Sequence, residues 1–238
     1  MKKYKYIVVV GCSFSASEPT LVKFDETYGY VIAEHFGAKC YNLSKMGGSL
    51  QRINRKTLEW CGKNTDKFKD TLIIVGMTTL NRIEIWNNKF CDKGYWPGPG
   101  WFNDPSYFQS PQSLLHKEPD RLTVPWSEEE RKNYFINFYN DNAQIIIATN
   151  IIIGLQSFLT LNNIDHIFFD ALPRNPPNTG WNNLVSQENW YKNSEYKSMI
   201  DFTEKNSDMR LSEKDFHPNK KAHKYWAECL IEYINEKI

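Results

Sequence analysis

The hydrophobic residues of this chain fall into short, nearly unbroken runs that are separated by stretches of helical periodicity. Continuous apolar runs predict strands buried on both faces, because a half-exposed strand would alternate apolar and polar residues. Such runs predict strands at residues 4–10, 71–75 and 164–169, with a shorter strand at 40–43. Glycines follow the strands at Gly11, Gly47 and Gly76, and we expect them to bring backbone amides to the ligand edge of the sheet.

Segments with apolar residues at helical spacing lie between these strands. They predict helices at residues 26–36, closed by Gly37, at 51–61, and from 127 to about 161 with a break near 140–142. Ser127 and Glu130 have the spacing of a capping box, and Asn219 is expected to cap a last helix. Strands that alternate with helices indicate a three-layer α/β/α fold with a mainly parallel sheet, and we treat the whole chain, 1–238, as one domain.

Two segments have no regular pattern. Residues 87–126 mix aromatic residues with Gly, Pro, Asn and Asp, which predicts an insertion over the site that would bind a sugar ring or an acyl chain, or build a small core of its own. Residues 174–210 are rich in Asn, Trp and Tyr, and they are also predicted to be irregular.

Charge and cysteine usage exclude several classes of function. The chain has 29 basic and 28 acidic side chains, so its net charge of +1 indicates no nucleic-acid or membrane partner. The apolar run after Lys5 is too short for a signal peptide or a membrane span, which predicts a cytoplasmic protein. The scattered cysteines lack the spacing of a zinc or redox site, so we expect no bound metal. The sequence does not indicate an oligomeric state.

Ser13 is a candidate nucleophile because it stands just past the first predicted strand, where a turn would expose its hydroxyl group. A serine hydroxyl is a weak nucleophile until a base removes its proton, so the chain must also supply that base. The neighbouring Cys12 is interpreted as a small buried packing group. His35 is expected in the core of the first helix, and His223 is expected to pack or to lie on the surface.

His217 is the best candidate for the base. It precedes Pro218 and the last helix, so it is predicted to lie in a loop and not on a buried helical face. Asp215, two residues earlier, is able to reach the imidazole and hold its tautomer. The sequence therefore offers a serine, a histidine and an aspartate in the order used by one large class of serine hydrolases.

Four blocks of residues carry a family resemblance. They are residues 11–15 (Gly-Cys-Ser-Phe-Ser), 42–49 (Asn-Leu-Ser-Lys-Met-Gly-Gly-Ser), 76–82 (Gly-Met-Thr-Thr-Leu-Asn-Arg) and 215–219 (Asp-Phe-His-Pro-Asn). This layout resembles the SGNH, or GDSL-like, serine hydrolases over nearly the whole chain. The resemblance implies a flavodoxin-like SGNH hydrolase fold, with Ser13 as nucleophile, His217 as base and no cofactor.

The resemblance also implies an oxyanion hole. Its donors would be the backbone amides of Ser13 and Gly47, together with a side chain from the third block. Thr78 stands where the family usually has asparagine, so either Thr78 or Asn81 would donate. Arg82, in the same block, would hold an anionic group or pair with a carboxylate such as Asp70 or Glu84.

Cys12 and Lys214 mark two further departures from the family. Cys12 stands where aspartate is frequent, and Lys214 occupies the usual position of the acid, three residues before the histidine. Lysine cannot orient a histidinium, so either Asp215 completes a triad or Ser13 and His217 act as a dyad.

The implied function is hydrolysis of a small ester through an acyl-serine intermediate, with an O-acetyl group on a carbohydrate as one candidate substrate. The expected partner is accordingly a small-molecule or glycan ester. Two alternatives stay open: a binding protein that has kept the fold without activity, and an acyltransferase that uses the same serine.

Overall fold

The computed structural model describes residues 4–18, 20–79, 82, 129, 133, 137, 140–173 and 180–237. The described residues contain a five-stranded sheet in which all neighbouring strands are parallel, in the order β2-β1-β3-β4-β5. The strands are β1 (Tyr6–Val10), β2 (Lys39–Asn42), β3 (Thr71–Met77), β4 (Asp165–Asp170) and β5 (Trp190–Tyr191). The predicted α/β fold with a parallel sheet is confirmed, and its strand order is flavodoxin-like.

Five α-helices cover this sheet in the described part of the chain: α1 (Tyr28–Phe36), α2 (Leu50–Lys63), α3 (Asp141–Leu161), α4 (Met199–Lys205) and α5 (Lys220–Lys237). Gly37 ends α1 in the left-handed conformation with a φ of 63°, as predicted. The predicted break near residue 140 is the N-cap of α3, because the Asn140 side chain accepts a hydrogen bond from the Ala143 amide. Asn219 likewise caps α5 by accepting from the Ala222 amide.

The sheet is buried on both faces, which explains the continuous apolar runs. Along β1, Ile7 and Val9 join the core under α1 and α5, while Val8 and Val10 join the core under α2 and α3. Successive side chains of a strand point to opposite faces, so both sets must be apolar. The structure therefore has the three layers that the sequence predicts.

The prediction that the third strand ends before Gly76 is wrong. β3 continues through Gly76, which pairs with Phe169 of β4. A Cβ atom at Gly76 would lie 2.6 Å from Ser15 Oγ and 3.2 Å from the Phe169 ring. This glycine therefore makes room for side chains inside the fold and does not mark the end of the strand.

The prediction that residues 174–210 are irregular is also wrong in part. The described portion contains β5, α4 and short 3₁₀ turns at Trp181–Leu184 and Ser207–Met209. Trp190 of β5 stacks on Phe168 with ring centroids 5.4 Å apart, and Phe202 of α4 is buried. These elements are too short to show a sequence period, and tertiary packing stabilises them.

Three further predictions concern His35, the insertion at 87–126 and the capping box. His35 is exposed on α1 and does not lie in the core, because the buried face of that helix is formed by Ile32, Ala33 and Phe36. The proposed insertion at 87–126 and the capping box of Ser127 and Glu130 lie outside the described residues.

α3 is long and apolar enough to cross a membrane by length and composition, and 44% of its most apolar 18-residue window is buried. In the structure its Ile152, Leu155 and Leu159 pack in the core against the sheet. A helix in the core of an α/β protein can have the same length and composition as a membrane span. The cytoplasmic location stays a prediction.

Candidate active site

The first half of the site is the serine turn, which we define as residues 11–15, directly after β1. The Ser15 amide donates to the Cys12 carbonyl over 3.0 Å, which closes the turn. Ser13 is only 3% exposed, and Cys12 is fully buried in the core, as expected for a packing group.

Two side chains that the sequence did not single out hold this turn. The Tyr28 hydroxyl donates to Ser15 Oγ over 2.9 Å, and Asn42 Nδ2 donates to the Ser15 carbonyl over 2.7 Å. Tyr28 resembles an ordinary apolar residue of the α1 stripe, so no pattern reveals its contact. Asn42 lies in the second family block, which was a signal that it belongs near the site.

The second half of the site is the histidine loop, defined as residues 206–219, which connects α4 to α5. His217 Nε2 lies 2.8 Å from Ser13 Oγ, and His217 Nδ1 lies 2.6 Å from Asp215 Oδ1. An ionised carboxylate only accepts, so Nδ1 carries the ring proton and Nε2 accepts from the Ser13 hydroxyl. The structure thus brings together the three side chains that the sequence proposed.

Asp215 reaches His217 although only one residue separates them in the sequence. One of its carboxylate oxygens accepts hydrogen bonds from both the backbone and the ring of His217. Asp215 Oδ1 also accepts from the backbone N–H of His217 over 3.0 Å, which forms an Asx-type turn. The side chain is thereby folded back onto the ring two residues further on. Partial burial raises the pKa of Asp215, but these hydrogen bonds outweigh it and hold the pKa below its ordinary value.

Side-chain to backbone hydrogen bonds hold the histidine loop. Thr203 of α4 donates to the Phe216 carbonyl over 2.6 Å, and Asn219 Nδ2 donates to the carbonyls of Asp208 and Arg210. The Leu211 amide also donates to the His217 carbonyl. No sequence pattern predicts these contacts, because they join residues that are 9 to 13 positions apart in an irregular segment.

Phe14 links the two halves of the site. Its ring is buried and packs against the His217 imidazole with ring centroids 4.9 Å apart. Packing on a fixed aromatic ring limits the orientations of the imidazole. The phenylalanine next to the nucleophile is therefore part of the site.

The loop between β2 and α2 brings Gly47 to the serine turn. The Lys45 amide donates to the Gly11 carbonyl, and a Cβ atom on Gly48 would lie 2.9 Å from that same carbonyl oxygen. Gly47 has a φ of 70°, a left-handed conformation that favours glycine. Among the described residues, neither the Gly47 amide nor the Ser13 amide donates a hydrogen bond.

The third-block candidates are only partly described. Thr78 follows β3 and is fully buried, and its Oγ1 accepts a hydrogen bond from Arg82 Nη1 over 3.0 Å. Asp70, one expected partner of Arg82, is bound by Lys5 instead. Asn81 and Glu84 lie outside the described residues.

This arrangement is equipped for acyl transfer to a serine. It contains a hydroxyl group, a base whose tautomer is fixed, and two nearby backbone amides that have no acceptor among the described residues. In the part of the chain that the structure describes, no three His, Cys, Asp or Glu side chains are grouped to hold a metal ion.

The model of a family of unknown function, DUF6071, matches residues 15–236. No curated protein matches the chain. The fold is similar to that of TesA, with a TM-score of 0.53 and 8% identity, covering 98% of this chain and 99% of that one.

It is also similar to an acetyl xylan esterase, Est2A, from the rumen bacterium Butyrivibrio proteoclasticus. The TM-score is 0.51 at 12% identity, covering 98% of this chain and 64% of that one. A third similar structure belongs to a carbohydrate esterase whose active site has divergent catalytic and non-catalytic binding functions. It has a TM-score of 0.50 and 13% identity, covering 100% of this chain and 70% of that one. Identities this low establish the shared fold alone.

Proposed function

We propose that this chain, which belongs to the family of unknown function DUF6071, is a serine esterase of the SGNH class that hydrolyses a small ester. The observation that carries the proposal is the continuous hydrogen-bonded chain from Ser13 through His217 to Asp215, with contacts of 2.8 and 2.6 Å. Fold similarity to an acetyl xylan esterase and to a carbohydrate esterase supports the same class.

The reaction begins when His217 Nε2 removes the proton of Ser13 as the hydroxyl oxygen attacks the ester carbonyl carbon. Asp215 accepts the Nδ1 hydrogen bond and stabilises the imidazolium that forms. His217 then donates its proton to the leaving alcohol, which leaves an acyl group on Ser13. Water, activated by the same imidazole, hydrolyses this acyl-enzyme and restores the free serine.

The backbone amides of Ser13 and Gly47 are proposed to bind the oxyanion of the tetrahedral intermediate. Both lack another acceptor among the described residues, and the β2–α2 loop is bonded to the serine turn. Donors that are fixed before the reaction stabilise the developing charge without reorganisation.

The first test is covalent labelling with a fluorophosphonate probe. We expect the wild type to label and Ser13→Ala to lose labelling, while the matched control Cys12→Ala still labels because Cys12 is a packing group. The wild type should also hydrolyse p-nitrophenyl acetate. Absence of both labelling and turnover in the folded wild type would refute the proposal.

The finer proposal is that the substrate is an O-acetyl group on a carbohydrate. Its support is the acetyl xylan esterase among the similar folds. Acetate release from acetylated xylo-oligosaccharides is expected to be faster than the release of p-nitrophenol from p-nitrophenyl butyrate. The same assay with an added acceptor alcohol separates hydrolysis from transfer, because a transferase would yield the acceptor ester in place of acetate.

A further inference from the structure

Arg82 and Thr78 form a charged hydrogen-bonded pair in the third family block, and nothing in the proposed chemistry so far uses Arg82. We infer that Thr78 Oγ1 donates the third hydrogen bond to the oxyanion and that Arg82 orients and polarises this hydroxyl from behind. Thr78 is then a catalytic residue and Arg82 a positioning residue. This inference rests on the proposed esterase function and extends it to two side chains.

The register of the sheet brings the segments that carry Thr78 and Ser13 to the same edge. β1 and β3 are parallel neighbours, and Val10 pairs with Val75. Ser13 and Thr78 each follow these paired residues by the same number of positions, at the carboxyl edge where the ligand sites of such sheets lie. Gly11 and Gly76, one position beyond the pair, are in close contact: a Cβ on Gly11 would lie 3.1 Å from the Gly76 carbonyl oxygen.

Among the described residues, the Thr78 hydroxyl has a donor but no acceptor. A threonine hydroxyl has one donor and two acceptor positions. Arg82 Nη1 donates to Oγ1 over 3.0 Å, which occupies an acceptor position, and the Thr78 hydroxyl donates to no atom of the described residues. Thr78 is fully buried. A buried hydroxyl that needs an acceptor is suited to the oxyanion that forms only during the reaction.

Arg82 places a positive charge next to the Thr78 hydroxyl. Its guanidinium is half-buried, and Thr78 is its single hydrogen-bond partner in the described ranges, with no carboxylate paired to it. A hydrogen bond from a charged donor polarises the hydroxyl that accepts it and strengthens the next bond in the chain.

This arrangement replaces the asparagine that the resembled family uses. An asparagine amide donates directly, whereas a threonine hydroxyl rotates and must be oriented. Arg82 provides that orientation because it occupies the acceptor side of the oxygen. The contribution is realised in the transition state, so we expect it to appear in kcat and not in KM.

The experiment measures kcat and KM for p-nitrophenyl acetate, a neutral ester, in single and double variants. Thr78→Val should lower kcat on the order of 10²- to 10³-fold, and Arg82→Gln should lower it about tenfold. Thr78→Ser and Arg82→Lys should each retain more activity than these. The matched control Arg55→Gln removes a positive charge from α2, where Arg55 pairs with Glu59, and should leave kcat unchanged.

A double-variant cycle separates this role from a structural one. Thr78→Asn should recover most of the activity lost in Thr78→Val, and Arg82→Gln should have little further effect in the Thr78→Asn background, because the amide no longer needs orienting. Thermal unfolding of each variant verifies that it is folded.

Several results would overturn the inference while leaving the esterase intact. These are an unchanged kcat in Arg82→Gln, a larger loss in Asn81→Ala than in Thr78→Val, or a change confined to KM for anionic esters such as hemisuccinates, which would make Arg82 a substrate contact. If the wild type neither labels at Ser13 nor hydrolyses esters, the esterase proposal fails and this inference fails with it.

Discussion

The two halves of the candidate site are built in different ways. The serine turn is packed into the core at the end of β1, with Ser13 only 3% exposed. The histidine loop lies at the surface, where the side chains of His217 and Asp215 are 31% and 46% exposed. Core packing, together with hydrogen bonds from Tyr28 and Asn42, fixes the turn, whereas hydrogen bonds at the surface fix the loop. We therefore expect changes near the turn to reduce stability first, and changes in the loop to reduce catalysis first.

The largest expected effect is in the loop. Asp215→Asn should lower kcat about 10⁴-fold, because the amide no longer favours the required tautomer or stabilises the imidazolium. The unfolding free energy should change little, since Asp215 is half exposed. Steady-state kinetics with p-nitrophenyl acetate and urea unfolding measure the two quantities. Glu213→Gln, an exposed acid in the same loop, is the matched control.

The short spacing of Asp215 and His217 is tested by moving the acid. The double variant Lys214→Asp/Asp215→Asn has its carboxylate at the position usual in the resembled family. It should be as inactive as Asp215→Asn, because the contact with the His217 backbone N–H folds the side chain at position 215 onto the ring and does not orient a carboxylate at position 214. Recovery of activity would show that this turn is not what orients the histidine.

The next effect concerns the serine turn. Gly48→Ala should reduce the unfolding free energy by about 2–3 kcal/mol, because its Cβ would lie 2.9 Å from the Gly11 carbonyl oxygen and 3.1 Å from that of Lys45. Gly154→Ala is the control: it lies within α3 with nothing within 4 Å of its Cβ and should stabilise by about 0.5–1 kcal/mol. Chemical denaturation measures the unfolding free energy of both variants. A Gly48→Ala variant as stable as the Gly154→Ala variant would contradict the close packing of Gly48 against the turn.

A third effect concerns His223, which is connected to the serine turn through Tyr28. His223 of α5 is fully buried, and its Nδ1 accepts from the Tyr28 amide, while Tyr28 also holds Ser15. Burial lowers the pKa of His223 to about 3, with Glu26 opposing weakly.

The unfolded chain therefore binds a proton below about pH 6.5 that the folded chain does not bind until about pH 3, so stability falls as the pH falls through this window. We expect a loss on the order of 2 kcal/mol between pH 6.5 and 4.5. His223→Gln should remove most of this slope, and the exposed control His35→Gln should not. Urea unfolding at pH 6.5 and pH 4.5 measures this change in unfolding free energy. An equal change in the wild type and in His223→Gln would show that His223 is not the group responsible.

The smallest expected effect is again in the loop. Thr203→Val removes the hydrogen bond to the Phe216 carbonyl and should cost about 1 kcal/mol of unfolding free energy. It should also lower kcat severalfold, because Phe216 adjoins the base. Thr203→Ser retains the hydroxyl and should restore kcat. A variant with reduced stability but full kcat would show that His217 does not depend on this contact.

Much of the fold could be predicted because its signals are local. The buried strands β1, β3 and β4 are continuous apolar runs, and the caps at Gly37 and Asn219 use residue types that those positions favour. β5 and α4 were missed because they are only two and seven residues long and depend on contacts with the sheet. The extent of β3 was also misjudged, since Gly76 serves side-chain packing and not chain reversal.

The sequence by itself determined the layered fold and the identity of the candidate nucleophile and base, because burial on both faces and the order of the motifs are written along the chain. Only the tertiary structure decided that Asp215 reaches His217, that Tyr28 and Asn42 hold the serine turn, and that Thr203 holds the histidine loop. Arg82 likewise acquired a partner, Thr78, only in the folded chain. The physical reason is that these contacts depend on the direction of single side chains in irregular segments, where no periodic pattern records which atoms will meet.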